Sequence, residues 1–454
     1  MAKGVIKYDY TFMAADSVAG FGFKDSELSG LGKELKKINQ GLKNRKNESD
    51  LSFRKLLTDK SNLKQILSLG RKIYREFDNL VVVGIGGSDL GARAIYSALA
   101  GQYANQDSKR KLKIYFTGDT TDSQPLADLL KIINLKKTAF YIVSKSGNTI
   151  EPLSTFLFLR KKVISKVGKN KHKKHFIITT NPEKGSLLKI AQKEGYLISP
   201  HYDGGGRFSV LSVNGLLPAT AAGFDTQEFL AGARAIDRLC NNNNYKKNIV
   251  FFFAALQYLA YTKRKQNISV LMPYNPALKD FGLWFRQLWG ESLSNADDLK
   301  GQRVHIGITP LAAIGPADQH SQIQNFIEGP YDKIITFIFV NKIKNDLKVP
   351  KYNGLDVEYL GGHSFSDILD IEHDATSVSL MKNKRVNGTL ILPELNEYYL
   401  GQLFYFFEMA AVYLGELLQV NVYDQPGVEQ SKRYMYGLLG KPGYAKDKNE
   451  ILNI

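Results

Sequence analysis

Cysteine is almost absent from the chain. A single residue, Cys240, stands among 454. One thiol can neither close an internal disulfide nor build a multi-cysteine metal site, and it suits a reducing compartment. Long apolar runs are missing too. Residues 249–261 are too short to span a bilayer, and Glu408 and Glu416 interrupt residues 398–420. Both stretches read as buried helices. The opening Met-Ala-Lys-Gly-Val-Ile-Lys-Tyr-Asp-Tyr lacks the apolar core of a signal peptide, so a cytoplasmic chain without a membrane segment is expected. No short-period repeat is present, which excludes a solenoid. Acidic residues are in deficit, 44 against 61 Lys and Arg, leaving a formal charge of +17. That excess points to an anionic partner, either nucleic acid or a small phosphate ester. The densest basic cluster, residues 160–175, has no interleaved aromatics of the kind that bind single strands. It reads as a solvated connection from a helix into a strand, and nucleic acid is not expected.

What the chain does contain is alternation. Leu80-Val81-Val82-Val83 is an apolar, β-branched run of the kind buried on both faces of a parallel sheet. Gly84-Ile85-Gly86-Gly87-Ser88-Asp89 follows, then a segment able to begin a helix. The glycine spacing matches neither the Walker loop nor a clean G-x-G-x-x-G. Taken alone, it is either a ligand loop or a tight strand–helix turn. Further short apolar runs at 114–116, 139–143 and 176–178 alternate with helical patterns, one of them at 152–163 with Leu153, Phe156 and Leu157 on one face. Beyond the polar break at 241–244 the alternation resumes, with strands at 268–272, 334–340 and 388–392. This order predicts two successive α/β domains with right-handed parallel connections. The expected organisation is a helical lead-in (1–55), a first α/β domain (56–225), a second (226–415) and a helical tail (416–454).

Several short stretches carry chemistry. Ser144-Lys145-Ser146-Gly147-Asn148-Thr149 follows a strand end and precedes Glu151-Pro152. Hydroxyls and free amides at a helix start suit a phosphate, although Thr149 could simply cap the helix. In Asp203-Gly204-Gly205-Gly206-Arg207 the glycines permit close backbone approach, and a guanidinium can hold developing negative charge. Gln287-Leu288-Trp289-Gly290-Glu291-Ser292 ends an aromatic helix, and a carboxylate held among apolar side chains suits a general base. His320 lies in Asp318-Gln319-His320-Ser321-Gln322, and Lys432 follows Gln425-Pro426-Gly427-Val428-Glu429. Either could be structural. The histidines of residues 361–373 show no metal-ligand spacing.

Taken together and in this order, these motifs resemble those of the glucose-6-phosphate isomerase family, from about Val81 to Lys432. The resemblance implies two sugar-isomerase domains, three-layer αβα and flavodoxin-like, with mostly parallel sheets. It implies a homodimer that interconverts glucose 6-phosphate and fructose 6-phosphate without metal or organic cofactor. Ser144, Lys145, Ser146 and Thr149 match the family's phosphate loop, and Gly87 and Ser88 its sugar-contacting loop. Glu291 matches the base that moves a proton between C1 and C2, Arg207 the stabiliser of the enediolate, and Gln287 and Gln425 substrate contacts. His320 and Lys432 match the ring-opening pair, with His320 supplied by the neighbouring subunit. The chain departs from the family after Ser292, where Leu293–Leu299 intervenes before Lys300-Gly301. A non-catalytic sugar-phosphate-binding regulator on the same fold is the alternative reading.

Overall fold

The structure, a computed structural model, describes residues 4–45, 51–202 and 204–454. Its strands, in chain order, are β1 (Lys7–Asp9), β2 (Asn79–Val83), β3 (Lys113–Thr117), β4 (Thr138–Ser144), β5 (Phe176–Thr180) and β6 (Leu197–Pro200). They continue with β7 (Ile268–Pro273), β8 (Asn295–Asp297), β9 (Arg303–Ile306), β10 (Thr309–Ala312), β11 (Lys333–Lys342) and β12 (Asn387–Glu394). The first sheet is wholly parallel, in the order β3-β2-β4-β5-β6. Renumbered within the sheet this is 2-1-3-4-5, the flavodoxin-like order. The second sheet repeats it as β10-β7-β11-β12, and antiparallel β1 fills the fifth place. The segment expected as a helical lead-in therefore opens with a strand that completes the far sheet.

Both sheets are covered on two faces, and the alternation of side chains shows it directly. Leu80 and Val82 of β2 enter one apolar cluster, while Val81 and Val83 enter another. In β7, Leu271 joins the first cluster, and Val270 and Met272 a third. Successive strand residues point to opposite faces, so an unbroken apolar run is what a doubly covered strand requires. The first cluster is shared by both sheets, so the two α/β units enclose one core. Its centre is the helix Glu397–Leu418, buried along almost its whole length. Glu408 lies within it, fully buried with both carboxyl oxygens unpartnered. Burial pushes that carboxyl well above the usual range.

Some boundaries differ from the expectation. The divisions at 55/56 and 415/416 fall inside the helices Ser52–Leu56 and Glu397–Leu418. The helix Ile150–Val167 buries Phe156, Leu159 and Val163 but leaves Leu157 exposed. No helix among the described residues is long and apolar enough to cross a membrane.

Candidate active site

The order 2-1-3-4-5 has a switch point between β2 and β4, because the connections leaving these neighbours run to opposite faces. The crevice beyond their C-terminal ends is where α/β sheets hold ligands. The loops leaving these two strands are the glycine turn Gly86–Ser88 and the hydroxyl loop 144–149. β2 and β4 pair in register, with Val83 opposite Ile142, so both loops open on one edge.

The glycine turn is held by backbone contact. A Cβ on Gly87 would lie 2.1 Å from the carbonyl carbon of Gly206, so only glycine lets the turns Gly86–Ser88 and Gly206–Phe208 meet. Gly86 has φ +58, and a Cβ there would sit 2.8 Å from Gln287 Nε2. Ser209 closes the joint, its hydroxyl donating to the carbonyls of Gly87 (2.9 Å) and Gly206 (2.6 Å). Ser88, the last residue of the turn, is buried.

Arg207 stands at the centre of the second turn and is 1% exposed. Its Nε donates to Ser292 Oγ (2.8 Å) and its Nη1 to Glu291 Oε2 (3.3 Å) and to Gln425 Oε1. Nη2 donates to the carbonyls of Val422 (2.6 Å) and Asp424 (3.1 Å). Burial pulls the guanidinium down from its ordinary value, and the carboxylate of Glu291 opposes that pull. Glu291 ends the helix Lys279–Ser292, whose Phe281, Trp284, Phe285, Leu288 and Trp289 face the core. Phe404 packs on Trp284 (4.6 Å between centroids) and on Phe281 (4.9 Å), which fixes the helix. Gln287 and Glu291, one turn apart, share the opposite face, and Gln287 Nε2 donates to Glu291 Oε1 (3.1 Å). The carboxylate is thus gripped by a cation and an amide and is partly open. The apolar surroundings expected from the sequence are found on the helix's other face.

In the hydroxyl loop, Ser144 Oγ donates to Thr149 Oγ1 (3.2 Å), Ser146 Oγ lies 3.4 Å from Thr149 Oγ1, and Asn148 N–H donates to Ser146 Oγ (3.2 Å). Thr149 occupies the N-cap position of Ile150–Val167, but its side chain does not cap the helix. Lys145 and Ser146 are exposed. A helix N-terminus behind a set of short hydroxyl donors favours negative charge.

Two candidates make no side-chain hydrogen bond to this cluster among the described residues. Lys432 lies on the helix Glu429–Leu438 and donates to Glu429 Oε1 (2.7 Å). His320 ends the short turn Ala317–His320 in the second sheet's half, exposed and without a side-chain hydrogen bond among the described residues. Its neighbour Gln319 binds Tyr274 and Thr376 (both 2.6 Å) and the Glu372 carbonyl (3.1 Å). That places the turn on the helix Phe365–Lys382. Asp203, beside the glycines, lies outside the described residues. No cluster of His, Cys, Asp and Glu fit to hold a metal occurs among the described residues.

A family model described as phosphoglucose isomerase matches residues 63–442. The chain belongs to the phosphoglucose isomerase family. Glucose-6-phosphate isomerase of Carboxydothermus hydrogenoformans is 37% identical over 440 residues, covering 95% of this chain and 94% of the relative. Probable glucose-6-phosphate isomerase of Methanococcus maripaludis is 34% identical over 442 residues, covering 96% and 95%. A solved structure of a hypothetical protein from Thermus thermophilus matches with TM-score 0.86 and 31% identity, over 96% of this chain and 100% of that one. The crystal structure of a glucose-6-phosphate isomerase from Chlamydia trachomatis, 24% identical, shares the fold with TM-score 0.74 over 87% of this chain and 76% of its own.

The sequence reading assigned no role to Asp89, which closes the glycine turn. Its carboxyl is buried, Oδ1 is unpartnered, and Oδ2 accepts from Arg93 Nε (3.0 Å) and Nη2 (2.8 Å). Arg93 also reaches Asp119 (3.0 Å). Burial pushes Asp89 up to about 7, against the pull of Arg93 and with help from Asp119 and Asp280. A carboxyl raised above its unfolded value contributes stability that is present in acid and lost as pH rises toward 7. Asp89→Asn does not titrate. The melting temperature of the variant minus that of the native chain should therefore climb between about pH 4 and 7 and level off above. Thermal denaturation at several pH values checks the slope, and a flat difference would show a carboxylate ionised throughout.

Proposed function

We propose that this chain is an aldose–ketose isomerase that interconverts glucose 6-phosphate and fructose 6-phosphate. The observation that carries the reading is the Arg207–Glu291 pair, set against the glycine turn at the switch point and flanked by Gln287 and Gln425. Family membership and relatives named glucose-6-phosphate isomerase support the same activity.

The route assigns each charge to a side chain. The hydroxyls of Ser144, Ser146 and Thr149, with Lys145 and the helix behind them, hold the phosphate and thereby orient the sugar. His320 and Lys432 open the ring, one placing a proton on the ring oxygen while the other takes one from the anomeric hydroxyl. The Glu291 carboxylate takes the proton from C2, leaving an enediolate, and returns it to C1, while the hydroxyl proton on O2 passes to O1 and C2 becomes the carbonyl. Arg207 faces the negative charge that develops on oxygen, and its fixed position means it need not reorganise during the step. Gly87 and Ser88 line the sugar, and Gln287 steadies the base. A regulator that only bound the ester would have no use for a carboxylate paired with a buried guanidinium.

His320 enters this scheme from a second copy of the chain. The helix that seats its turn exposes Phe365, Ile371 and Val378, and the adjoining arm exposes Leu347, Tyr352, Leu355 and Tyr359. Phe365 N–H donates to the Leu347 carbonyl, which ties the arm to the start of the helix. Large exposed apolar side chains gathered on one segment suit a protein interface. A homodimer that covers it carries the His320 turn to the partner's site. The single buried cysteine favours the cytoplasm as the place of work.

A coupled assay of purified protein with fructose 6-phosphate tests the activity, and formation of glucose 6-phosphate is expected. An added chelator should leave the rate unchanged. Absence of turnover with this substrate would end the proposal.

A further inference from the structure

We infer that Tyr436 is a positioning residue, whose hydroxyl fixes the helix carrying Lys432 to the loop that holds the phosphate. The inference rests on the reading of Lys432 as a ring-opening group. Tyr436 OH donates to the carbonyl of Asn148 (3.1 Å), across 288 residues of sequence. Lys432 and Tyr436 are one turn apart on Glu429–Leu438, so they share a face of that helix.

The helix is held as a rigid piece. Gly437 lets the helix Ala445–Leu452 approach closely, since a Cβ there would lie 2.7 Å from Lys448 N and 2.8 Å from the Tyr444 carbonyl oxygen. Arg433 pairs with Asp447 (2.7 Å) across the same joint. The Tyr436 ring lies under the Lys441 ammonium (3.6 Å to the centroid) and against Tyr444 (5.1 Å). Upstream, Arg207 gathers the carbonyls of Val422 and Asp424 and the side chain of Gln425. The tail is therefore pinned at two points, with Lys432 between them.

Substrate chemistry explains why the second pin is placed there. The ring oxygen is carried on C5, next to C6, which bears the phosphate. A group that must reach the ring oxygen needs registry with the phosphate loop rather than with Glu291, which works at the far end of the sugar. Asn148 supplies that registry. Its N–H donates to Ser146 Oγ (3.2 Å) and its Oδ1 accepts from Ser186 N–H (3.0 Å), so the residue anchoring the lysine's helix also orients a phosphate-loop hydroxyl.

Tyr436→Phe removes the hydroxyl and keeps the ring packing. Loss of one such hydrogen bond should lower kcat roughly five- to tenfold. The melting temperature, the KM and inhibition by inorganic phosphate should stay near native values. In a Lys432→Ala background the same change should cost no further rate, because Tyr436 acts only through the lysine. A Tyr436→Phe enzyme with the native rate, an equal loss in both backgrounds, or a loss confined to phosphate affinity would overturn the inference while leaving the isomerase reading intact. A Lys432→Ala enzyme with native turnover would overturn the role of the lysine, and the inference with it.

Discussion

Glu291→Gln should lower kcat by roughly 10²–10⁴-fold, the usual contribution of a positioned general base, while phosphate esters bind almost as before. The amide has nearly the size of the carboxylate; its one oxygen can still accept from Arg207, and its NH2 can donate to Gln287 once that side chain turns its own oxygen inward, but it cannot take a proton from carbon. The phosphate loop belongs to a different strand and is untouched by the change. The fold should survive as well. Arg207 keeps Ser292, Gln425 and the carbonyls of Val422 and Asp424 when the charge opposite it is lost. Initial rates, inhibition constants for inorganic phosphate and a melting curve separate these effects. Near-native turnover in this variant would remove Glu291 from the chemistry.

Mixing two inactive variants should restore activity if His320 acts across a dimer. His320→Ala and Glu291→Gln homodimers each lack one required group at every site. In a mixed dimer, one site unites the intact Glu291 of the first variant with the intact His320 of the second. Random exchange makes half the dimers mixed, and one site in each works, so recovery should approach about a quarter of native activity. If His320 served its own chain, every site in the mixture would still lack one group and no activity would return. Rates measured after unfolding and refolding the mixture together decide between the two. The exposed apolar side chains Phe365, Ile371, Leu347 and Tyr359 add a second readout. Charged substitutions there should shift the chain toward monomer and abolish turnover in parallel.

The interior strands were legible because a doubly covered strand must be apolar at every position, and β2, β4, β7 and β11 all have such runs. Five strands were missed in the reading: β1, β6 and β10 are edges of the two large sheets, and β8 and β9 pair only with each other. An edge strand has one neighbour, so it can be short and can carry proline, as β10 does at Pro310. Leu157 was assigned to the buried face from spacing alone, yet the helix turns Phe156, Leu159 and Val163 inward instead. The spacing that joins Lys432 to Tyr436 was open to inspection, but nothing local tied that tyrosine to Asn148.

Local physics thus decided a good deal about this chain before any coordinates. Strand runs, glycine turns and hydroxyls before a helix start are short-range requirements, and they place the α/β order and the hydroxyl loop. The environment of Glu291 was decided only by folding. Arg207 meets it from 84 residues upstream and Gln425 meets that same guanidinium from 218 residues downstream, across a junction that depends on two glycine backbones touching. Contacts at such separations arise from how whole sheets and helices pack together, which no window of neighbouring residues contains.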